Sequence, residues 1–405
     1  MQSDPKMRRI TMGIKMRFVT GLSFLILIGC SDRSPKSKLN TNSHFEIQKV
    51  IDEFEHQLAK DVEEDDIASL SAAIVIKDKV VWSKAFGMSD VENKINADTS
   101  TIYRISSMSK TFTAFLMMQL MEDGYFNLDD TVENYFPEIQ QLIGYSDSTK
   151  ITFKHLASHT SGLIREPKNR EEVASGPIAE WEEKLLLAIP TTSFKYRLGE
   201  KYSYSNIGYG ILGLAISRAA NKPFMELVKE KIFKPLKMTN SFFIVPNEDT
   251  PRNAIGYDGG PMGEIKTEIP KEEHKGRGYK VPNGGIYSTS NDLGKFLIAN
   301  RIVSDQPILK RENCELMQEI WTPKVDGWRN KYGLGYHIIE HKGLMVCNHG
   351  GNNLGYSSMF MFEKNKKIGI IILRNYAWGM TWQVMRSWML IKKLSEIIEK
   401  EKIKQ

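Results

Sequence analysis

Apolar positions along the chain change period three times. From Phe45 they recur at Ile47, Val50, Ile51, Phe54 and Leu58, the spacing of an amphipathic helix. The stretch SAAIVIKDKVVWSKAFG then packs β-branched and aromatic residues into two runs around a polar turn near Asp78, the pattern of a hairpin. A second helical pattern covers 107–122, SMSKTFTAFLMMQLME, and is closed by Gly124. The middle of the chain stays helical in character at 151–163, 177–188, 207–220 and 222–234. Residues 246–285 lose all periodicity and are rich in Gly, Pro and charge. A non-periodic segment of that length is a functional loop more often than a packed element. Strand patterns return in YGLGYHIIE, GLMVCN, YSSMFMFE and IGIIILRN, and a last helical run spans about 379–399.

Strands at both ends with helices between them predict an α+β fold. One antiparallel sheet is assembled from N- and C-terminal strands and flanked by helices, with a mostly helical subdomain inserted at about 125–260. The 405 residues, 41% of them apolar, suffice for one large domain over 44–400.

The N-terminus reads differently. Residues 18–29, FVTGLSFLILIG, follow Arg8, Arg9, Lys15 and Arg17 and have the length and flanking charge of a signal-peptide core. At 12 residues the run is short for a membrane span. It ends in Leu27-Ile28-Gly29-Cys30, which resembles a bacterial lipobox. The expectation is therefore a signal peptide over 1–29, lipidation of Cys30, a Ser/Lys/Asn/Pro-rich tether to residue 43, and an exported lipoprotein held at a membrane of the cell envelope. A plain signal peptide or an uncleaved anchor is the alternative. Residues 1–29 carry five Lys or Arg against one Asp, so most of the chain's net +6 belongs to this segment. The remainder offers no basic surface for nucleic acid. Cys314 and Cys347 are too few for a disulfide framework and read as buried thiols.

Ser107 and Lys110 in SSMSK stand three apart, so on a helix they share a face. A serine at a helix start beside a lysine whose proton affinity is lowered by desolvation or cationic neighbours can serve as nucleophile and base; an N-capping serine with a solvated lysine is the alternative. S-x-x-K alone is weak; Ser3 and Lys6 match it as well. Two Tyr-x-Asn segments are candidate partners. Tyr125-Phe126-Asn127 lies down the same helix, roughly 27 Å away at ~1.5 Å per residue. Tyr204-Ser205-Asn206 precedes a new helix and can fold back. Lys331-Tyr332-Gly333 and His349-Gly350-Gly351 compete as the closing strand motif. The second is favoured because its strand leads directly into the glycine pair.

Taken together, RISSMSKTFTAFLMMQLMEDGYFNLDDTVENYFPE, ITFKHLASHTSGL, YSYSNIGYGILG, PNGGIYSTSNDLGKF, YGLGYH and NHGGNNLGYSS resemble, in order, the serine β-lactamase and penicillin-binding-protein superfamily. The resemblance is to the branch of class C β-lactamases, D-amino-acid peptidases and related esterases, and spans about 50–390. It implies Ser107 as nucleophile, Lys110 as its base, Tyr204 as proton relay and Asn206 as a substrate-positioning residue. It also implies that His349 stands where β-lactamases have a lysine, with Gly350, Gly351 and Asn352 lining the substrate. The backbone N–H groups of Ser107 and Asn352 would form the oxyanion hole. His-Gly-Gly in place of Lys-Thr-Gly weakens the anchor for a substrate carboxylate. The expectation is a peptidase- or esterase-like serine hydrolase acting on a small-molecule or peptide amide or ester, without cofactor or metal. A β-lactamase, a D-Ala-D-Ala carboxypeptidase and a non-catalytic binding protein of the same fold are the alternatives.

Three other signals carry less. Gly208, Gly210 and Gly213 spell G-x-G-x-x-G without a preceding strand. His155 and His159 have a ligand-like spacing but no acidic neighbour. Trp378, Trp382 and Trp388 on the last helix read as core. G-x-S-x-G is absent.

Overall fold

The computed structural model describes residues 41–65, 69–258, 276–300, 307–323, 331–365, 367–377 and 380–403. The predicted hairpin is β1 (Ser69–Ile76) and β2 (Lys79–Asp90), followed by the short β3 (Ile95–Asn96). The C-terminal third supplies β6 (His337–His341), β7 (Leu344–Asn353), β8 (Tyr356–Glu363) and β9 (Ile368–Arg374). Between them, β4 (Tyr103–Arg104) and β5 (Tyr287–Ser288) form a separate two-stranded ladder, too short to leave a sequence signal.

The seven remaining strands make one antiparallel sheet in the order β3-β2-β1-β9-β8-β7-β6. The two ends of the chain meet where β1 pairs with β9, Leu70 opposite Arg374 through Ile76 opposite Ile368. Every residue of β1, β8 and β9 is buried, so both faces of the sheet's centre are covered. One face carries the terminal helices Thr41–Asp65 and Met380–Ile403, tied together by two hydrogen bonds from the Arg386 guanidinium to the Asp61 carboxylate at 3.0 and 2.8 Å. The other carries the helix Ser290–Ala299 and the turn Ser106–Met108 that leads into the helix Ser109–Glu122.

Three expectations need adjustment. The helical pattern at 151–163 yields only Phe153–Ala157, because His159 adopts a left-handed φ of 59° and turns the chain. YGLGYHIIE becomes strand only from His337; Tyr332–Tyr336 is a buried connection. Trp382 is not core: it is 60% exposed, beside the exposed Met385 and Met389. Trp378, Cys30, the segment 1–29 and most of the tether lie outside the described residues. Cys314 and Cys347 are free, buried thiols, pushed up to about 12 by burial.

Candidate active site

From Thr101 to Leu120 every residue is buried except Ser107. The helix Ser109–Glu122 therefore cannot be amphipathic in the ordinary sense. Its apolar residues sit in the main core, and its buried polar groups need partners within the protein. The segment Pro282–Ile286 supplies most of them. Lys110 Nζ donates to the Asn283 carbonyl oxygen at 3.1 Å, Thr113 Oγ1 donates to the Pro282 carbonyl oxygen at 2.5 Å, and Ile286 N donates to Ser109 Oγ at 3.2 Å. Thr111 Oγ1 donates to Gly335 O at 2.8 Å. Ser107 is left half-exposed at the head of the helix, preceded by Ser106 with φ 50°.

Lys110 Nζ lies 3.3 Å from Ser107 Oγ. The Lys110 side chain is fully buried. Burial, followed by the positive charge of Arg165 and then of Arg277 and Lys280, holds its pKa well below that of an ordinary lysine; Glu166 works in the opposite direction. Its amine therefore gives up a proton far more readily than a solvated lysine does.

Tyr204 hydrogen-bonds with Ser107 through its hydroxyl. Its ring lies 4.8 Å from Lys110 Nζ and 4.9 Å from the Arg165 guanidinium carbon. Burial pushes the phenol up to about 12, with the Ser107 hydrogen bond and Arg165 pulling the other way, so it stays protonated. Its segment is clamped from behind by His159, whose Nδ1 accepts from Ser205 N at 3.1 Å and whose carbonyl accepts from Ser203 N at 2.8 Å. Asn206 starts the helix Asn206–Ala219. Its Nδ2 donates to Glu166 Oε1 at 2.5 Å, and its Oδ1 is buried with no hydrogen-bond partner among the described residues. Tyr125 and Asn127 are surface residues.

The glycines of that helix have a packing role. A Cβ on Gly213 would stand 2.3 Å from Pro282 Cγ, so this glycine lets the Pro282–Asn283 segment reach Lys110. His155 occupies the third position of a capping box with Thr152.

The sheet wall is β7. Its partner β6 begins with His337 opposite Asn348, which leaves residues 349–353 without a β6 partner on that side. Asn353 and Tyr356 close the β7–β8 hairpin as a hydrogen-bonded pair. By ladder alternation, the neighbouring Asn352 N–H points away from β8 and toward that side. Gly351 is where the Ser106 turn rests on the sheet: an added Cβ would stand 2.2 Å from Ile105 O and 3.0 Å from Ser106 Cβ. Ser358 Oγ, opposite Gly351, donates to the same Ile105 carbonyl at 2.8 Å.

His349 is 1% exposed, and both ring nitrogens are occupied. Nδ1–H donates to Gly350 O at 2.8 Å, which makes Nε2 the acceptor from the Tyr332 hydroxyl at 3.1 Å. Burial, then His337 and Lys110, hold its pKa well below the usual histidine value. His337 is pushed down to about 4 by burial and Lys110. His349 therefore sits as a neutral ring behind the site, 6.5 Å from the Tyr204 ring centroid. Both sequence candidates for the strand motif are present: Tyr332 of Lys331-Tyr332-Gly333 is the residue that His349 touches.

Residue-pattern reasoning missed three contributors, Asn283, Arg165 and Glu166, and set Tyr332 aside with the less favoured strand motif. Asn283 lay within a quoted segment, PNGG, without an assigned role. Arg165 and Glu166 had no signal, since an Arg-Glu pair in a loop is unremarked in any sequence. Among the described residues no His/Cys/Asp/Glu cluster has metal-ligand geometry, and no helix is long and apolar enough to cross a membrane.

A "Beta-lactamase" family model matches residues 51–380. The chain belongs to the β-lactamase family. It is 33% identical to Beta-lactamase-like protein 2 of Dictyostelium discoideum over 368 residues, covering 86% of this chain and 64% of that one. Protein flp of Staphylococcus aureus strain N315 is 26% identical over 341 residues, 84% of this chain and 64% of its own length. This member of the family thus spans under two thirds of the curated relatives it matches. In fold it is similar to the octameric penicillin-binding protein homologue from Pyrococcus abyssi, with TM-score 0.68 and 24% identity over 87% of this chain and 79% of that one.

Proposed function

We propose that the protein is a serine hydrolase that forms an acyl-enzyme on Ser107 and cleaves amide or ester bonds in the manner of a peptidase or esterase. The observation that carries the reading is the fully buried amine of Lys110, 3.3 Å from the one half-exposed side chain of a buried segment. Lys110 Nζ takes the Ser107 proton as Oγ bonds to the substrate carbonyl carbon. The oxyanion is received by the Ser107 and Asn352 N–H groups. The protonated Tyr204 hydroxyl gives its proton to the leaving oxygen or nitrogen as that bond breaks, and regains one from Lys110. Water then attacks the acyl-enzyme, gives a proton to the same pair, and Ser107 leaves with one. Asn206 Oδ1 accepts an N–H of the substrate.

The neutral state of His349 supports a peptidase or esterase over a β-lactamase, because β7 offers no cation to a substrate carboxylate. The sequence before residue 41 supports export and lipidation at Cys30; loss of membrane association in Cys30→Ser tests that separately. The hydrolase reading is tested by turnover of p-nitrophenyl esters and D-amino-acid amides. Turnover is expected in the wild type and absent in Ser107→Ala. Equal turnover in the variant would move the chemistry elsewhere.

A further inference from the structure

We propose that Arg165 forms an anion-recognition subsite at the mouth of the Ser107 site, so that the preferred ester or amide carries a carboxylate held on the Tyr204 wall rather than at β7. The inference rests on the reading of Ser107 as nucleophile. It names a substrate class that the β7 motif by itself does not indicate.

Placement is the first argument. Arg165 is exposed, but its main chain is fixed: its carbonyl oxygen accepts from Asn206 N at 2.9 Å and Ile207 N at 3.3 Å. The guanidinium carbon lies 4.9 Å from the centroid of the Tyr204 ring, and the hydroxyl of that ring meets Ser107. One ring's breadth therefore separates the guanidinium from the reacting atoms. A planar fork held against an aromatic face keeps its N–H groups directed outward, and carboxylates match that geometry with two parallel hydrogen bonds.

Charge balance is the second. Among the described residues no carboxylate forms an ion pair with Arg165. The adjacent Glu166 turns inward to Asn206 at 2.5 Å, to the Tyr279 hydroxyl and to Lys280 at 3.6 Å. The remaining polar wall, β7, presents His349 as a neutral ring with both nitrogens used. A substrate anion entering this site thus meets an exposed cation on one side only.

Arg165 also sits close enough to Lys110 to lower its proton affinity, and that role alone would act on all substrates equally. The experiment separates the two. Two matched pairs of p-nitrophenyl-type esters differ only in a carboxylate against a carboxamide, one pair on the acyl chain and the other on the leaving group. In the wild type the carboxylate member of one pair is expected to have the higher kcat/KM, and added salt to narrow the gap. Arg165→Gln should lower kcat/KM for that member roughly ten- to hundredfold, the worth of a charge-assisted contact. The loss should fall mainly in KM, and the loss for the carboxamide member should be far smaller. Arg165→Lys should recover part of the difference. Equal losses for both members, with the acid limb of the pH profile displaced, or no wild-type preference in either pair, would overturn the subsite. Labelling of Ser107 by a fluorophosphonate on the same preparations keeps the outcomes apart. Labelling without charge discrimination defeats only the subsite, whereas an unlabelled wild type defeats the hydrolase reading and the subsite with it.

Discussion

Gly351 of β7 rests so closely on Ile105 that a methyl group at that position would stand 2.2 Å from the Ile105 carbonyl oxygen. The contact sets the spacing between the sheet edge that carries Asn352 and the turn that carries Ser107. Gly351→Ala must push the two apart. The expected cost is about 1–3 kcal/mol of stability from overpacking, and a loss in kcat of roughly 10²–10³-fold if one oxyanion donor is misplaced. Urea unfolding and ester kinetics on the same protein check both. A variant with unchanged kcat would detach this contact from the chemistry.

The fold is expected to be stabilised by removal of Lys110. Its pKa in the folded state is held well below normal by burial and by Arg165, Arg277 and Lys280, whereas an unfolded lysine titrates near 10.4. Between those two values the unfolded chain binds the extra proton, so wild-type stability rises with pH. Methionine at this position has no proton to lose. Lys110→Met should abolish turnover yet unfold at higher urea near pH 6, with a gain on the order of 1 kcal/mol, and the advantage should shrink as pH approaches 10. An advantage that grows with pH would reverse the sign of the argument.

Glu166 opposes the three cations around Lys110. Glu166→Gln removes that charge, so the Lys110 amine should be harder to protonate. The acid limb of kcat/KM should move to lower pH, while the plateau falls because Asn206 loses a charged acceptor. A limb displaced to higher pH would show that Lys110 is not the group being titrated.

His349 is held neutral throughout the physiological range. Simple esters should therefore exceed nitrocefin in kcat/KM by about ten- to hundredfold, the worth of one absent charge-assisted contact. The ratio should stay constant between pH 6 and 8. A nitrocefin rate that climbs steeply below pH 7 would indicate a protonated His349 binding the carboxylate.

The sheet was legible because β1, β8 and β9 are nearly continuous apolar runs, which a strand buried on both faces requires. The helix expected across 151–163 was overread: nothing in SHTSG announces the left-handed turn at His159 that sends its ring under Tyr204. Ser107, Lys110 and Tyr204, which the structure brings together, could be singled out in the sequence because their grouping follows from local spacing or from a recognisable segment. Asn283 received no role and Tyr332 only a place in the less favoured motif, since both act through tertiary contacts, with Lys110 across 173 residues and with His349 across 17. Arg165 acts through its position over one ring, which no sequence pattern encodes. The close approach enabled by Gly213 likewise explains, from packing alone, a glycine pattern that resembles a nucleotide motif.

The central claim is that Lys110 makes Ser107 a nucleophile. The most direct measurement is mass spectrometry of the intact protein and its peptides after exposure to a fluorophosphonate at pH 8, with Ser107→Ala and Lys110→Ala alongside. The expected result is a single adduct, on Ser107, absent from Ser107→Ala and formed about 10²–10⁴-fold more slowly in Lys110→Ala, the usual contribution of a proton-transfer partner. No adduct on the wild type, an adduct on another residue, or a Lys110→Ala rate equal to the wild type would contradict it.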